Sequence, residues 1–462
     1  MKFFICNDRS KFTKLQPENY GGWFFIREPD VEIWEGEDCI VLYCGYLIEG
    51  DIQEVCKEFS FKEANGNFFA VKLTKDNYEI SVDYFQNHKL FVSTKYGTEI
   101  SNHIPYMTIE DIDHTRIWVE SDDYGREYSD AARTTYYDHI SIFNPQYNYI
   151  QDAKDSHAQE VWQDLDELTE YIHQCMQHHS EVIKEKYPLR YCSLSEGIDS
   201  ALQSVFFPED LQLLYTVDTA DSEQHYDLIK LAQNNFPNTN RYTYKSRRNR
   251  KDCLTHLIDS SCRWTSIIPT FRHLNMQKIK PDIFMYGVNG NEMFVRDLIP
   301  HVLVLFLKYY SSDTSSMIDK IKSDIYDKGD MYGSAYTNSV DYDFEGTVDT
   351  CIEMYRGLSY EEIEDILMIL STPKLYTRTI SSNNNVLSAS LYNDRRIFHE
   401  VMKGRNDWLE TNAMDAPIMR AILDKYDYNF VTPRNCTLSA DYEQLNYTAH
   451  EATVERDIRQ NI

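Results

Sequence analysis

Apolar and polar positions alternate with a period of about two through the first part of the chain. Val41–Ile48, Asn65–Leu73, Tyr78–Asp83 and Lys89–Ser93 are short apolar-leaning runs broken by Asn-Gly and Lys-Asp turns. That pattern predicts antiparallel hairpins. The stretch Asn144–Ser156 is polar and irregular. After it Val161, Leu165, Leu168, Ile172 and Cys175 recur at helical spacing, which predicts a helix with one buried stripe. Farther on, the apolar-leaning run opening at Leu189, then Leu211–Asp218 and Asp282–Tyr286, read as strands. Asp221–Gln233 reads as a helix, with Leu228, Ile229, Leu231 and Ala232 on its apolar side. Strands alternating with helices predict a parallel sheet that binds ligands beyond the carboxyl ends of its strands. The expected organisation is a β-rich domain over 1–150, an α/β domain over 151–440 and a polar tail over 441–462. Ser323–Val348, poor in aliphatic residues, reads as a long surface insertion.

One turn carries candidate chemistry. The run from Leu189 stops at Ser195, Glu196 and Gly197, and Asp199 and Ser200 then open a helix. A strand, a small-residue turn and a helix N-terminus point backbone N–H groups and the positive end of the helix dipole at one place. Hydroxyls of Ser195 and Ser200 can donate to phosphate oxygens there, and Asp199 can hold Mg²⁺. The Gly-Lys-Ser/Thr ending of a Walker loop is absent. The bland alternative for Asp199 is an ordinary helix cap. A second loop, Gly287–Phe294, follows the strand Asp282–Tyr286.

Taken together, these segments resemble the asparagine synthetase family. The first loop is similar to its pyrophosphatase loop, Ser-Gly-Gly-x-Asp-Ser. Gly287, Glu292 and Phe294 match its second loop. Gly66–Ala70, a hairpin and Asp83-Tyr-Phe look like its class II glutamine amidotransferase domain. Ser388–Glu400 and Ala416–Leu423 resemble two of its C-terminal segments. The resemblance implies α/β and α+β folds: an N-terminal antiparallel β-sandwich and a C-terminal parallel-sheet ATP-pyrophosphatase domain of the adenine nucleotide alpha hydrolase-like kind, with additional helices. It implies ATP and Mg²⁺ as cofactors. The ATP-binding residues would be Ser193, Ser195, Gly197, Asp199, Ser200, Val217, Tyr286 and Gly287. Asp199 and Asn291 would hold the metal, and Asp199, Glu292 and Arg434 would be catalytic. A substrate carboxylate, by default aspartate, would become an acyl-adenylate, and ammonia or an amine would then displace AMP.

Four departures bear on that chemistry. Glutamine hydrolysis in the family needs a cysteine exposed as the N-terminal residue, but position two is Lys2 and the nearest thiol is Cys6. The expectation is a domain without glutaminase activity, as in beta-lactam synthetase and lasso-peptide cyclases. Glu196 replaces a glycine and brings a carboxylate beside the phosphates. Val288 and Asn291 replace a Glu or Tyr and a metal-binding Asp. Asn435 stands where the family has a lysine, with Arg434 beside it; Arg434 can stabilise an oxyanion or pyrophosphate but cannot act as a base. Two readings follow: an AMP-forming amide ligase, or a weakened nucleotide-binding or scaffold protein that keeps the fold.

Charge narrows the partners. A net charge of −28 argues against nucleic acid. The compact basic cluster Lys245, Arg247, Arg248, Arg250 and Lys251 reads as a solvated loop, with a phosphate clamp as the alternative. The ten cysteines include no Cys-x-x-Cys pair and suit a reducing cytoplasm. Leu298–Leu307 is too short to span a bilayer, and Met1–Arg9 is too short in its apolar part for a signal peptide. A small-molecule substrate, no membrane and no nucleic acid are therefore expected. The 35 tyrosines suit contact surfaces and leave a homo-oligomer open. His173, His178 and His179 read as spare histidines at a surface helix end rather than as metal ligands. Asp394, Arg395 and Arg396 read as an ion-paired helix start.

Overall fold

The computed structural model describes residues 2–12, 15–88, 90–108, 139–143, 151–152, 155–156, 158–194, 197–216, 230–237, 243–246, 281–285, 287, 289–294, 387–403 and 416–429. Among the described residues, ten strands precede residue 143: β1 Phe3–Cys6, β2 Glu18–Tyr20, β3 Trp23–Arg27, β4 Glu32–Glu35, β5 Ile40–Leu47, β6 Gly66–Leu73, β7 Tyr78–Val82, β8 Phe91–Ser93, β9 Glu99–Ser101 and β10 Ser141–Ile142. They form a six-stranded sheet, β10-β8-β9-β1-β3-β2, and a four-stranded sheet, β4-β5-β6-β7. Every pairing described in both is antiparallel.

Period-two alternation explains how these sheets pack. On β5 and β6, Leu42, Cys44, Tyr46, Phe69, Val71 and Leu73 share one core with Phe3, Ile5 and Phe25 of the larger sheet. The rings of Phe3 and Phe69 stack 5.0 Å apart across that core. The opposite faces use the intervening residues. Val41, Tyr43, Phe68 and Ala70 pack with Phe61 and with Cys56 of helix α1 (Ile52–Glu58). Phe4 and Cys6 pack with Phe12 and Phe91. The strands expected over 41–48, 65–73, 78–83 and 89–93 are thus present with shifted ends.

Helix α2 spans Leu165–Lys186. Its stripe is Leu168, Ile172, Cys175, Met176 and Ile183, all buried. Val161 was expected on this stripe but precedes the helix. Asp164 caps the N-terminus by accepting from the Asp166 and Glu167 amides, which starts the helix after it. Beyond α2 lie β11 Arg190–Leu194, α3 Ile198–Phe206, β12 Leu211–Thr216, β13 Thr243–Ser246, β14 Ile283–Met285, α4 Gly290–Phe294, β15 Leu387–Ala389, α5 Arg395–Val401 and α6 Pro417–Asp424. The five strands make one sheet, β13-β12-β11-β14-β15, with every neighbour parallel. The fold is therefore mixed α/β, antiparallel before residue 143 and parallel after residue 189. β15 was not expected. It pairs Leu387 with Ile283 and Ala389 with Met285.

The two sheet systems meet through buried polar groups as well as through the core. Asn67 Nδ2 donates to the Ser388 carbonyl at 2.8 Å, and Asn65 Nδ2 to Asp394 Oδ1 at 2.9 Å. Asp394 also caps α5 and pairs with Arg396 at 2.6 Å, as the expected ion-paired helix start requires. The histidines of α2 correct their expectation. His179 is fully buried, with Nε2 2.8 Å from the Tyr46 hydroxyl. His178 Nε2 lies 3.0 Å from the Ile48 carbonyl, and His173 Nε2 lies 2.9 Å from the Tyr426 hydroxyl. All three serve packing between elements that are distant in sequence. Among the described residues no helix is long and apolar enough to cross a membrane.

Candidate functional site

The strand order sets where a ligand can bind. The chain leaves central strand β11 toward β12 and β13 on one side, then returns to β14 and β15 on the other. The order reverses between β11 and β14. Adjacent loops diverge at such a switch point and open a crevice beyond the carboxyl ends of the strands. The loop after β11 leads into α3, and the loop after β14 leads into α4.

Gly197 is the N-cap of α3, and Asp199 lies in its first turn. Ile198, Ala201, Leu202 and Val205 anchor the helix in the core. Because α3 follows β11, it begins beyond the carboxyl end of that strand, which puts its N-terminus, with its positive dipole end, at the crevice. Asp199 is partly exposed. Its backbone carbonyl accepts from the Tyr392 hydroxyl at 2.7 Å, which ties the first turn of α3 to the segment after β15.

The second loop lies directly on the first. A β-carbon at Gly287 would come 2.5 Å from the Asp199 carbonyl carbon and 2.6 Å from the Ser200 nitrogen. At Gly290 it would come 2.6 Å from Asp199 Oδ1. Side chains do not tolerate such distances, so the absence of a side chain is what lets the loops meet. Between the two glycines, Asn289 adopts φ +77°. Its carbonyl accepts from the Met293 amide at 3.0 Å and so begins α4. Its Nδ2 donates to Asn393 Oδ1 at 2.5 Å. Its Oδ1 is buried and, among the described residues, accepts no hydrogen bond.

Of the expected site residues, the structure brings together Gly197, Asp199, Ser200 and Gly287. Ser193 is buried on β11. The Ser200 hydroxyl donates to the Gly197 carbonyl at 3.0 Å, inside its own helix turn. For Asn291 and Glu292 only the backbone, in α4, is described. Ser195, Glu196, Val217, Tyr286, Val288, Arg434 and Asn435 lie outside the described residues, as does the basic cluster over 247–251. Tyr392, Asn393 and Asn289 carried no expected role. The Asn289-Gly290 pair offered one signal, because asparagine tolerates positive φ.

A carboxylate at a helix N-terminus, in a cradle that a β-carbon would fill, fits Mg²⁺ bound with phosphate oxygens. Among the described residues no three His, Cys, Asp or Glu side chains group to hold a metal alone. A Mg²⁺ ion at Asp199 would take its remaining ligands from phosphate and water.

Cys6 is unsuited to nucleophilic work. It is buried on β1, its thiol donates to the Asp8 carbonyl at 3.1 Å, and burial pushes its pKa up to about 11. The described cysteines Cys6, Cys39, Cys44, Cys56, Cys175 and Cys192 are free thiols. No protein-family model matches the chain, and no curated protein matches it, so its motifs and geometry carry the functional reading.

Proposed function

We propose that this protein is an ATP-dependent, AMP-forming amide ligase of the asparagine synthetase kind, acting without glutamine hydrolysis. One observation carries the reading: two loops at a parallel-sheet switch point press together on Asp199, at the N-terminus of α3. ATP would lie across both loops with its α-phosphate against the first turn of α3. A substrate carboxylate would attack the α-phosphorus, forming an acyl–phosphate bond as the α–β bond breaks and pyrophosphate leaves. Ammonia or an amine would then attack the acyl carbon and expel AMP. Mg²⁺ held by Asp199 would offset the charge of the leaving pyrophosphate. Aspartate is the default acid. The first 150 residues would be an amidotransferase-like fold without its nucleophile, which the buried Cys6 supports. Free thiols suit a cytoplasmic protein.

A second reading, a weakened nucleotide-binding or scaffold protein, draws on Val288, Asn291 and Asn435, which stand where the family has a Glu or Tyr, a metal-binding Asp and a lysine. Exchange of labelled pyrophosphate into ATP separates the two, because adenylate formation is reversible. A panel of amino acids beginning with aspartate is screened. Exchange supported by one acid establishes the ligase and names its substrate. Binding of Mg-ATP without exchange on any acid favours the scaffold.

A further inference from the structure

We infer that the antiparallel half of the molecule sets the second loop of the site through a directed chain of buried amides, with Asn87 and Asn393 as positioning residues for Asn289. Asn289 Nδ2 donates to Asn393 Oδ1 at 2.5 Å, Asn393 Nδ2 to Asn87 Oδ1 at 2.7 Å, and Asn87 Nδ2 to Asp83 Oδ1 at 2.7 Å. The Asp83 carboxylate also accepts from the Asn87 backbone amide, at 3.0 Å and 3.2 Å to its two oxygens. The four residues are each 3% exposed or less, although they come from three widely separated segments.

The order of donors in this chain follows from its end. The Asp83 carboxylate oxygens accept both from the Asn87 side chain and from its backbone amide, so Asn87 turns its NH₂ toward Asp83 and its carbonyl toward Asn393. Asn393 must then present its NH₂ to Asn87 and its carbonyl to Asn289. Each link orients the next, and aligned donors strengthen one another in a buried setting. The last link meets a backbone that needs it. A left-handed conformation is strained at a non-glycine residue, less so for asparagine than for most, and persists where the surroundings fix it. The bond to Asn393 holds Asn289 in that conformation. Asn289 sits between Gly287 and Gly290, two residues that lie against Asp199. A carboxylate of the antiparallel half therefore sets the shape of a loop after β14. The chain of amides stands independently of the ligase reading, and only its effect on nucleotide affinity rests on that reading.

Hydrogen–deuterium exchange on the full-length protein tests this without any ligand. Asn87→Leu keeps the approximate size and removes both side-chain links. Peptides covering 289–294 are expected to exchange about tenfold faster, while those of α2 stay at wild-type rates. The double variant Asp83→Asn/Asn87→Asp exchanges donor and acceptor between the two positions. The carboxylate at 87 accepts from Asn393 and from the new amide at 83, so loop exchange is expected within about threefold of wild type. Unchanged 289–294 exchange in a folded Asn87→Leu, or loosening confined to 83–88, overturns the inference. So does a double variant that loosens the loop as much as Asn87→Leu does. If Asn87→Leu does not fold, Asn87→Ser takes its place with the same two outcomes. Mg-ATP affinity, measured in parallel, should fall and recover with loop exchange. A wild type that binds no Mg-ATP defeats the ligase reading and leaves the exchange result to decide the inference.

Discussion

Gly290 lies so close to Asp199 that a β-carbon on it would come within 2.6 Å of Oδ1. The carboxylate is the part that would yield, since it ends a side chain. Gly290→Ala is therefore expected to cost less stability than Gly287→Ala and to weaken Mg-ATP binding. At Gly287 the nearest atoms are backbone, at 2.5 Å to 2.7 Å, and cannot swing away. Gly287→Ala should cost about 1–3 kcal/mol of stability through overpacking. Urea denaturation of both variants checks the contrast. Equal stability losses would mean that the loops do not meet as described.

Asp199→Ala removes the carboxylate but leaves the helix N-terminus. Loss of one charge-assisted interaction with the Mg-ATP complex should weaken binding by about 1–3 kcal/mol. Calorimetry against wild type measures this, and equal affinities would remove Asp199 from the site.

His179 makes stability depend on pH. Burial lowers its pKa from 6.5 to about 4. Between those values the unfolded chain binds more protons than the folded one, so stability rises with pH across the window. The stabilisation is fully present above pH 6.5 and is lost as pH falls toward 4, with a ceiling of ~3 kcal/mol. His179→Gln should flatten the difference in unfolding free energy between pH 7 and pH 4.5. An unchanged slope would show that His179 is not buried as a neutral ring.

Asp394 is fully buried and bonds Arg396, Asn65 and the first turn of α5. Asp394→Ala leaves the Arg396 guanidinium without its main counter-charge and should cost roughly 3–5 kcal/mol. A loss below about 1 kcal/mol in urea denaturation would mark this as a weak surface pair.

Cys6 should react slowly with iodoacetamide at pH 8 in the folded protein and rapidly once unfolded, because its thiol is buried with a pKa of about 11. Glutamate release from glutamine, abolished by alkylation, would overturn the expected lack of glutaminase activity.

The elements that could be read directly from the sequence rest on local regularities. Period-two alternation marked β5 and β6, and the spacing of Leu168, Ile172 and Cys175 marked α2. Both patterns arise because one face of each element is buried. The small-residue turn before Asp199 marked a strand-to-helix junction, since a helix needs a cap and a turn needs residues without bulk.

Tertiary contact decided the rest. β15, only Leu387–Ala389, carries too little pattern to be read as a strand and is one because β14 lies beside it. The three histidines looked spare because Tyr46, Ile48 and Tyr426, which bond them, are far away in sequence. Asn393, Tyr392 and Asn87 showed no sign of their roles for the same reason. The sequence by itself determined the elements that bury one face along several residues, such as β5, β6 and α2, because that pattern depends on neighbours a few positions away. Only the tertiary structure decided that Gly287 and Gly290 lie against Asp199 and that Asn289 is joined through Asn393 and Asn87 to Asp83, because strand order and packing bring together residues far apart in sequence that no local period relates.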